Sequence, residues 1–222
     1  MTSRLDSERL VVLVHEVRSP VAALAAVAET AAESPRAEQE TLRVLVRLSL
    51  AACHAIERLV MDAAVASVHF SPVDLGALTT DAVAAHRARG AEIAVAVEDD
   101  LVVDGDPVRM RQVVDNLIAN ALVHGRSAGV TVKAARSGGA IHIVVSDAGP
   151  GIPAAELDRI FEVGARLQED MPGSGLGLAL ARAIVEAHGG SLSGRSGDGV
   201  GATFTISLPG ARAQPDTAAS SV

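Results

Sequence analysis

DPVRMRQVVDNLIANALVH, residues 106–124, decides what the C-terminal part of this chain is. Asp106 followed by Pro107 reads as a helix start, with a carboxylate at the N-cap and a proline where a missing N–H costs nothing. Met110, Val113, Val114, Leu117 and Ala121 then recur at helical spacing as an apolar face. Beside them Gln112, Asn116, Asn120 and His124 follow at four-residue intervals. Solvated helix faces usually carry Lys and Glu. A stripe of amides is a different composition, and an amide oxygen is a hard ligand of the kind Mg²⁺ accepts. The spacing therefore predicts a helix over 107–124 with a buried face and a candidate ligand-holding stripe.

Downstream, the apolar run 141–146 ends in DAGPGI, residues 147–152. A carboxylate at a strand end, followed by glycines that let backbone approach a ligand, suits recognition of a base. Asp147 can accept a hydrogen bond from an exocyclic amine such as adenine's. Taken singly, the same residues also spell an ordinary Gly-Pro turn. Further on, Gly173-Ser174-Gly175-Leu176-Gly177 feeds a helical run that ends at His188-Gly189-Gly190. Glycine-rich backbone leading into a helix N-terminus makes an anion site from unsatisfied amides and the helix dipole. Residues 162–172 are polar and irregular, as a mobile lid would be. The three motifs stand in order, each at the end of a predicted element, and that conjunction is far more specific than any one of them.

Around these motifs, β-like runs at 91–97, 101–103, 130–135, 141–146, 191–196 and 202–208 alternate with helical runs at 74–88, 107–124 and 176–188. Runs 136–139 and 197–201 look like hairpin turns. The natural packing is a mixed sheet with helices on one face. The expected fold class is α+β: an N-terminal helical hairpin forming a dimeric four-helix bundle, followed by an α/β sandwich. Residues 1–68 form the hairpin, 69–209 the sandwich, and 210–222 a disordered tail.

Residues 106–208 resemble the ATP-binding domain shared by histidine kinases, gyrase-type ATPases, Hsp90 and MutL. The Asn-containing helix is similar to the family's asparagine box, and DAGPGI to its first glycine box. RIFEVG, residues 159–164, looks like its phenylalanine box, and GSGLGLALARAIVEAHGG, residues 173–190, like its second glycine box. The resemblance implies that Asp147 recognises the adenine amine, with Gly149 and Gly151 shaping that corner. It implies that Asn120 holds Mg²⁺ between the phosphates while Asn116 and His124 line the nucleotide site. Gly173, Ser174, Gly175, Leu176 and Gly177 would lie along the phosphates beneath the lid. In the gyrase branch a Glu that activates water stands at the position of Asn116, so the resemblance favours the kinase branch. Histidine kinases usually carry Lys or Arg three residues after the second Asn. This chain has Val123 there, which leaves Arg126 or the lid's Arg166 to supply the cation.

The N-terminal part reads as two helices. Leu10, Leu13, Val14, Val17, Val21, Leu24 and Ala28 form one apolar stripe, broken at Ser34-Pro35. Leu42, Leu45, Ser49, Ala52, Ile56, Leu59, Ala63 and Ala66 form a heptad seam on the second helix. One hairpin has little core; two make a four-helix bundle, so a homodimer is expected. His15 lies about 140° from the core stripe on a helical wheel, on the solvent side. His15-Glu16-Val17-Arg18-Ser19-Pro20 resembles the phosphoacceptor box of histidine kinases. In that reading the His15 imidazole attacks the γ-phosphoryl while Glu16 accepts a hydrogen bond from its other nitrogen. Ser19, Ala22 and Ala26 give the same side a small, apolar character, which marks a docking surface. By resemblance its partner is the receiver domain of a response regulator, whose aspartate takes the phosphoryl group. His54, His69, His86, His142 and His188 lack such context and read as structural.

Composition sets the limits. A net charge of −8 argues against nucleic-acid binding, which needs clustered cations. Hydrophobic residues make up 49% but aromatics only 1%, so the core is built from Ala, Val, Leu and Ile. The single Cys53 excludes an intrachain disulfide and reads as a core hydrophobe. No run reaches the ~18 apolar residues of a membrane span, and MTSRLDSER at the start is unlike a signal peptide. A cytoplasmic protein is expected. The residues ahead of His15 are too few for a sensor domain, so the signal is expected from a separate protein or from a longer chain. The expected function is ATP-dependent autophosphorylation of His15 and transfer to a response regulator. The alternative is a phosphotransfer or scaffold protein with a weak or inactive ATP domain.

Overall fold

The computed structural model describes residues 68–125, 129–165, 175–197 and 199–210. These belong to one compact unit that begins at Ser67. The expected hairpin, its dimeric bundle, and with them His15, Glu16, Ser19, Ala22 and Ala26, lie outside the described residues. So do Arg126, Arg166, Gly173, Ser174 and the segment 211–222.

The described chain runs β1 (Ser71–Asp74), α1 (Leu75–Arg87), β2 (Ile93–Val97), β3 (Val102–Gly105), α2 (Pro107–His124), β4 (Val130–Ser137), β5 (Ala140–Ser146), α3 (Gly177–Ala187), β6 (Ser191–Ser196) and β7 (Ala202–Pro209). Short 3-10 turns at Ala154–Glu156 and Arg159–Phe161 lie between β5 and α3. Five strands form one sheet in the order β2-β4-β5-β7-β6, and β1 pairs with β3 in a second. Only the β2–β4 pair of the large sheet is parallel.

Burial alternates along β4, β5 and β7 and makes the sheet two-faced. Ala134, Ile143, Ile206 and Leu192 stand in register across four strands, and all four are buried. The neighbouring row, Lys133, Val144, Thr205 and Ser193, lies on the opposite face. The three helices cover the buried face. In α2, Met110, Val113, Val114, Leu117 and Ala121 are buried as their spacing predicts, together with Ile118. The turn between β4 and β5 pairs Ser137 with Ala140 across Gly138 and Gly139, whose φ values are 59° and 83°. Two consecutive left-handed residues are what a two-residue hairpin following the strand twist requires.

One strand was not legible. Ser71–Asp74 carries Pro72 and buries only Val73, so it shows no alternating pattern. It pairs antiparallel with β3 along one edge, where a residue without an N–H is tolerated. Element bounds elsewhere shift by a residue or two. The expected strand at 101–103 runs on to Gly105 because β1 extends its ladder to that residue.

Asp106 anchors the start of α2. Its carboxylate accepts from the backbone N–H of Val108 (2.9 Å), Arg109 (3.1 Å) and His69 (3.0 Å). Burial by itself would raise this carboxyl, but the donors from His69, Arg109 and Val108 outweigh it and hold the pKa below the ordinary Asp value. A depressed carboxyl contributes stability above its unfolded pKa of about 3.9, and that contribution is lost as pH falls through the folded value. Acid denaturation should therefore begin in the ordinary carboxylate range, and Asp106→Asn should flatten that part of a stability-against-pH curve. Asp106→Ala should cost about 1–2 kcal/mol in denaturant titration at pH 7, as loss of an N-cap does.

Candidate functional site

The end of β5, the end of α2 and the β6–β7 loop converge on Asp147. Its N–H donates to Ala202 O (2.9 Å), which carries the β5–β7 ladder one step past Ser146. Its side chain folds back to accept from Gly149 N (2.8 Å), so the carboxylate is held by its own turn. Gly125 closes α2 hard against this turn. A Cβ on Gly125 would sit 2.4 Å from Ala121 O and 2.5 Å from Asp147 Cβ. From the other side Gly201, at φ 76°, brings its backbone so near that a Cβ would lie 2.0 Å from Asp147 O. Only glycine fits either place.

The rest of DAGPGI is tied down by hydroxyls. Ser196 Oγ accepts from Ile152 N (2.7 Å) and donates to Gly201 O (2.6 Å), joining the glycine turn to the β6–β7 loop. Ser146 and Thr203 share a hydroxyl hydrogen bond of 2.9 Å one residue from Asp147. His124 ends α2 near the same carboxylate. Loss of solvent lowers its imidazole pKa and the negative charge of Asp147 opposes that shift, leaving it below the ordinary value.

Asn116 reaches in the other direction, to α3. Its Nδ2 donates to Gly177 O (3.2 Å), so the first turn of α3 is hung on the polar stripe of α2. Among the described residues no side chain caps the N-terminus of α3, and no acidic residue stands in its first turn. The positive end of its dipole therefore suits an anion. Gly175, at φ 72°, packs where a Cβ would meet Gly164 C at 2.7 Å, linking the approach to α3 with the turn at 162–165. That turn follows Phe161, which meets Phe204 edge to face (6.2 Å, 84°) and lies beneath the Arg182 guanidinium at 5.5 Å.

Sequence reasoning had placed Asn116, Asn120 and His124 on one helix, and Asp147, Gly149 and Gly151 on one turn. The structure brings His124 to Asp147 and Asn116 to Gly177, with Asn120 half-buried between them on α2. Val123 is 41% exposed on the last turn. Four residues escaped the sequence reading: Gly125, Gly201, Ser196 and Thr203. Gly125 and Gly201 look like routine punctuation in a sequence, and only close backbone approach distinguishes them. Ser196 and Thr203 have no sequence signal, because their partners are distant in the chain. Of the five histidines read as structural, His54 lies outside the described residues, His188 bonds backbone groups through both ring nitrogens, and His86 faces Asp115 at 3.3 Å.

The sequence model of the histidine kinase-, DNA gyrase B-, and HSP90-like ATPases matches residues 105–212. Among curated proteins the chain is similar to the sensor protein ChvG of Agrobacterium fabrum, 34% identical over 89% of this chain and 38% of ChvG. Among solved structures it is similar to a mycobacterial sensor histidine kinase, MprB, with a TM-score of 0.58 and 33% identity over 64% of this chain and 98% of that one. It is also similar to full-length ShkA, solved in complex with AMPPNP, with a TM-score of 0.62 and 28% identity over 94% of this chain and 47% of ShkA. The chain belongs to the two-component sensor histidine kinase family. The chain spans less than half the length of the curated relatives it matches, 38% of ChvG and as little as 12% of others.

The glycine geometry yields a paired test. Gly201→Ala meets Asp147 O and should cost about 1–3 kcal/mol from overpacking, above the backbone cost of a left-handed alanine. Gly199→Ala, at φ 75° with nothing within 4 Å of a Cβ, should cost about 1 kcal/mol from backbone alone. Thermal melts of the two variants should rank in that order. Equal melting points would mean that the approach to Asp147 is not the constraint.

Proposed function

We propose that this chain is an ATP-dependent protein histidine kinase. It binds ATP at the Asp147 and α3 sites, phosphorylates His15, and passes the phosphoryl group to an aspartate of a response regulator. The observation that carries the reading is the pairing of a turn-held carboxylate, crowded by Gly125 and Gly201, with a helix start tied to Asn116 through Gly177 O. One end suits an exocyclic amine and the other suits phosphates.

In this reading Asp147 receives the adenine amine on the oxygen that its own turn does not occupy, while Gly149 and Gly151 keep the floor thin. The amides of Gly175, Leu176 and Gly177 face the phosphates, joined by Gly173, Ser174 and Arg166. His124, with its pKa lowered, is neutral at pH 7 and offers ring hydrogen bonds. Among the described residues no three His, Cys, Asp or Glu groups stand together as a metal cage. The donor set suits an ion held mainly by phosphates and the Asn120 amide oxygen. Mg²⁺ bound with the nucleotide supplies neutralisation of phosphate charge. A ring nitrogen of His15 forms the new P–N bond as the γ-phosphorus bond to the ADP oxygen breaks, and Glu16 accepts a hydrogen bond from the other ring nitrogen.

The chain would act as a homodimer, with residues 1–68 as the bundle and its signal arriving from another protein or domain. Ser19, Ala22 and Ala26 would seat the receiver domain. No helix among the described residues is long and apolar enough to cross a membrane, and a cytoplasmic site of action fits this role.

Incubation with γ-labelled ATP and Mg²⁺ tests the reading. Label that is acid-labile and alkali-stable, absent from His15→Ala, is the expected result. Acid-stable label, or none, defeats it, and absence of label favours the scaffold alternative. Asp147→Asn should abolish labelling with His15 intact. Charged residues at Ala22 and Ala26 should block transfer to a receiver domain yet spare labelling of the kinase; undiminished transfer would sink the docking assignment.

A further inference from the structure

α2 and α3 run side by side, and they are clasped at both ends. At the phosphate end Asn116 Nδ2 donates to Gly177 O. At the far end Asp106 N–H donates to His188 Nε2 (3.0 Å), while His188 Nδ1 bonds Ile184 O at 2.7 Å. Because Nε2 accepts, the ring proton must sit on Nδ1 and be donated to the carbonyl. Both nitrogens of a residue only 5% exposed are therefore committed. Gly105 backs the ring so tightly that a Cβ there would lie 3.0 Å from His188 Cδ2. Phe70, though 52% exposed, lays its ring 5.1 Å from the imidazole centroid.

Asp106 links this imidazole to the start of the domain. Its N–H goes to His188, and its carboxylate receives the N–H of His69. His69 and Phe70 are the backbone through which residues 1–67 are attached. Packing alone would not ask for histidine here. Ala179, Leu180, Ala181, Ile184 and Val185 already bury α3, and an apolar side chain of similar size would fill the place without a desolvation cost.

We propose that His188 is a positioning residue that couples nucleotide occupancy at the N-terminus of α3 to the backbone at His69–Phe70. The coupling rests on the nucleotide reading of that helix end. α3 is a rigid rod of about 16 Å. A phosphate that draws its first turn inward loads the Asp106–His188 bond at the other end, and Asp106 carries the change to His69.

Hydrogen exchange on the full chain, with and without AMPPNP and Mg²⁺, tests this. The analogue should slow exchange in the first turn of α3 and also at the His69 amide, there by about fivefold, the scale of one net hydrogen bond. A Gln amide oxygen can take the place of Nε2, whereas an Asn amide is too short to reach Asp106 N. The His69 response should therefore survive in His188→Gln and vanish in His188→Asn, with the α3 response present in both. If His188→Asn does not fold, Phe70→Ala at the exposed ring serves instead and should at least halve the response. A wild-type chain that slows at α3 and not at His69 overturns the coupling alone. So does an undiminished His69 response in His188→Asn or, in its place, Phe70→Ala. No change at either location overturns the nucleotide reading and the coupling with it.

Discussion

The Asp106 carboxylate accepts three backbone N–H groups at the head of α2, and its own N–H is spent on His188. The polar side chains that face both halves of the candidate site are set out along the helix that this residue starts. Asn116, Asn120 and His124 occupy its polar stripe, and Gly125 closes it against Asp147. A helix begun one residue earlier or later would rotate that stripe by about 100° and withdraw the amides from α3. Capping is therefore a matter of aim as well as stability. The desolvation of the carboxylate is offset because every donor it faces is one that a helix start or a chain crossing would otherwise leave unsatisfied.

The other end of α2 is governed by space. Asp147 is surrounded by backbone at Gly125 and Gly201 at distances that no side chain tolerates. Such crowding leaves the carboxylate few rotamers, and the bond from Gly149 N selects among them. In the proposed role, recognition of a flat ligand edge, Asp147 benefits from this. Its orientation is settled before binding, and less conformational freedom remains to be lost. At the end proposed for the phosphates, the described residues offer a helix start tied to Asn116 through Gly177 O.

Much of this was legible from residues near one another in the chain. The N-cap and proline predicted the start of α2, and the spacing of Val113, Val114, Leu117 and Ala121 predicted its buried face. Gly138-Gly139 predicted the β4–β5 turn. Each signal is local, arising from backbone preference or side-chain periodicity within a few residues. β1 failed to show because its Pro72 and single buried Val73 leave nothing periodic to read. Gly201 and Ser196 failed for a different reason, since their importance depends on who stands opposite.

The amino-acid sequence by itself therefore determined the described elements other than β1, the helix-covered sheet, and the short motifs that name Asp147, Asn116, Asn120 and the glycine runs. Those follow from chemistry that acts over one or two turns. Only the tertiary structure decided that Asn116 hangs α3 by Gly177 and that Gly125 and Gly201 enclose Asp147. It alone decided that His188, read from sequence as one structural histidine among several, spans from α3 to the cap of α2. These are contacts between residues tens of positions apart, and hydrogen bonds and van der Waals exclusion act at a few ångströms. Their partners are set by how the layers pack, which no local pattern encodes.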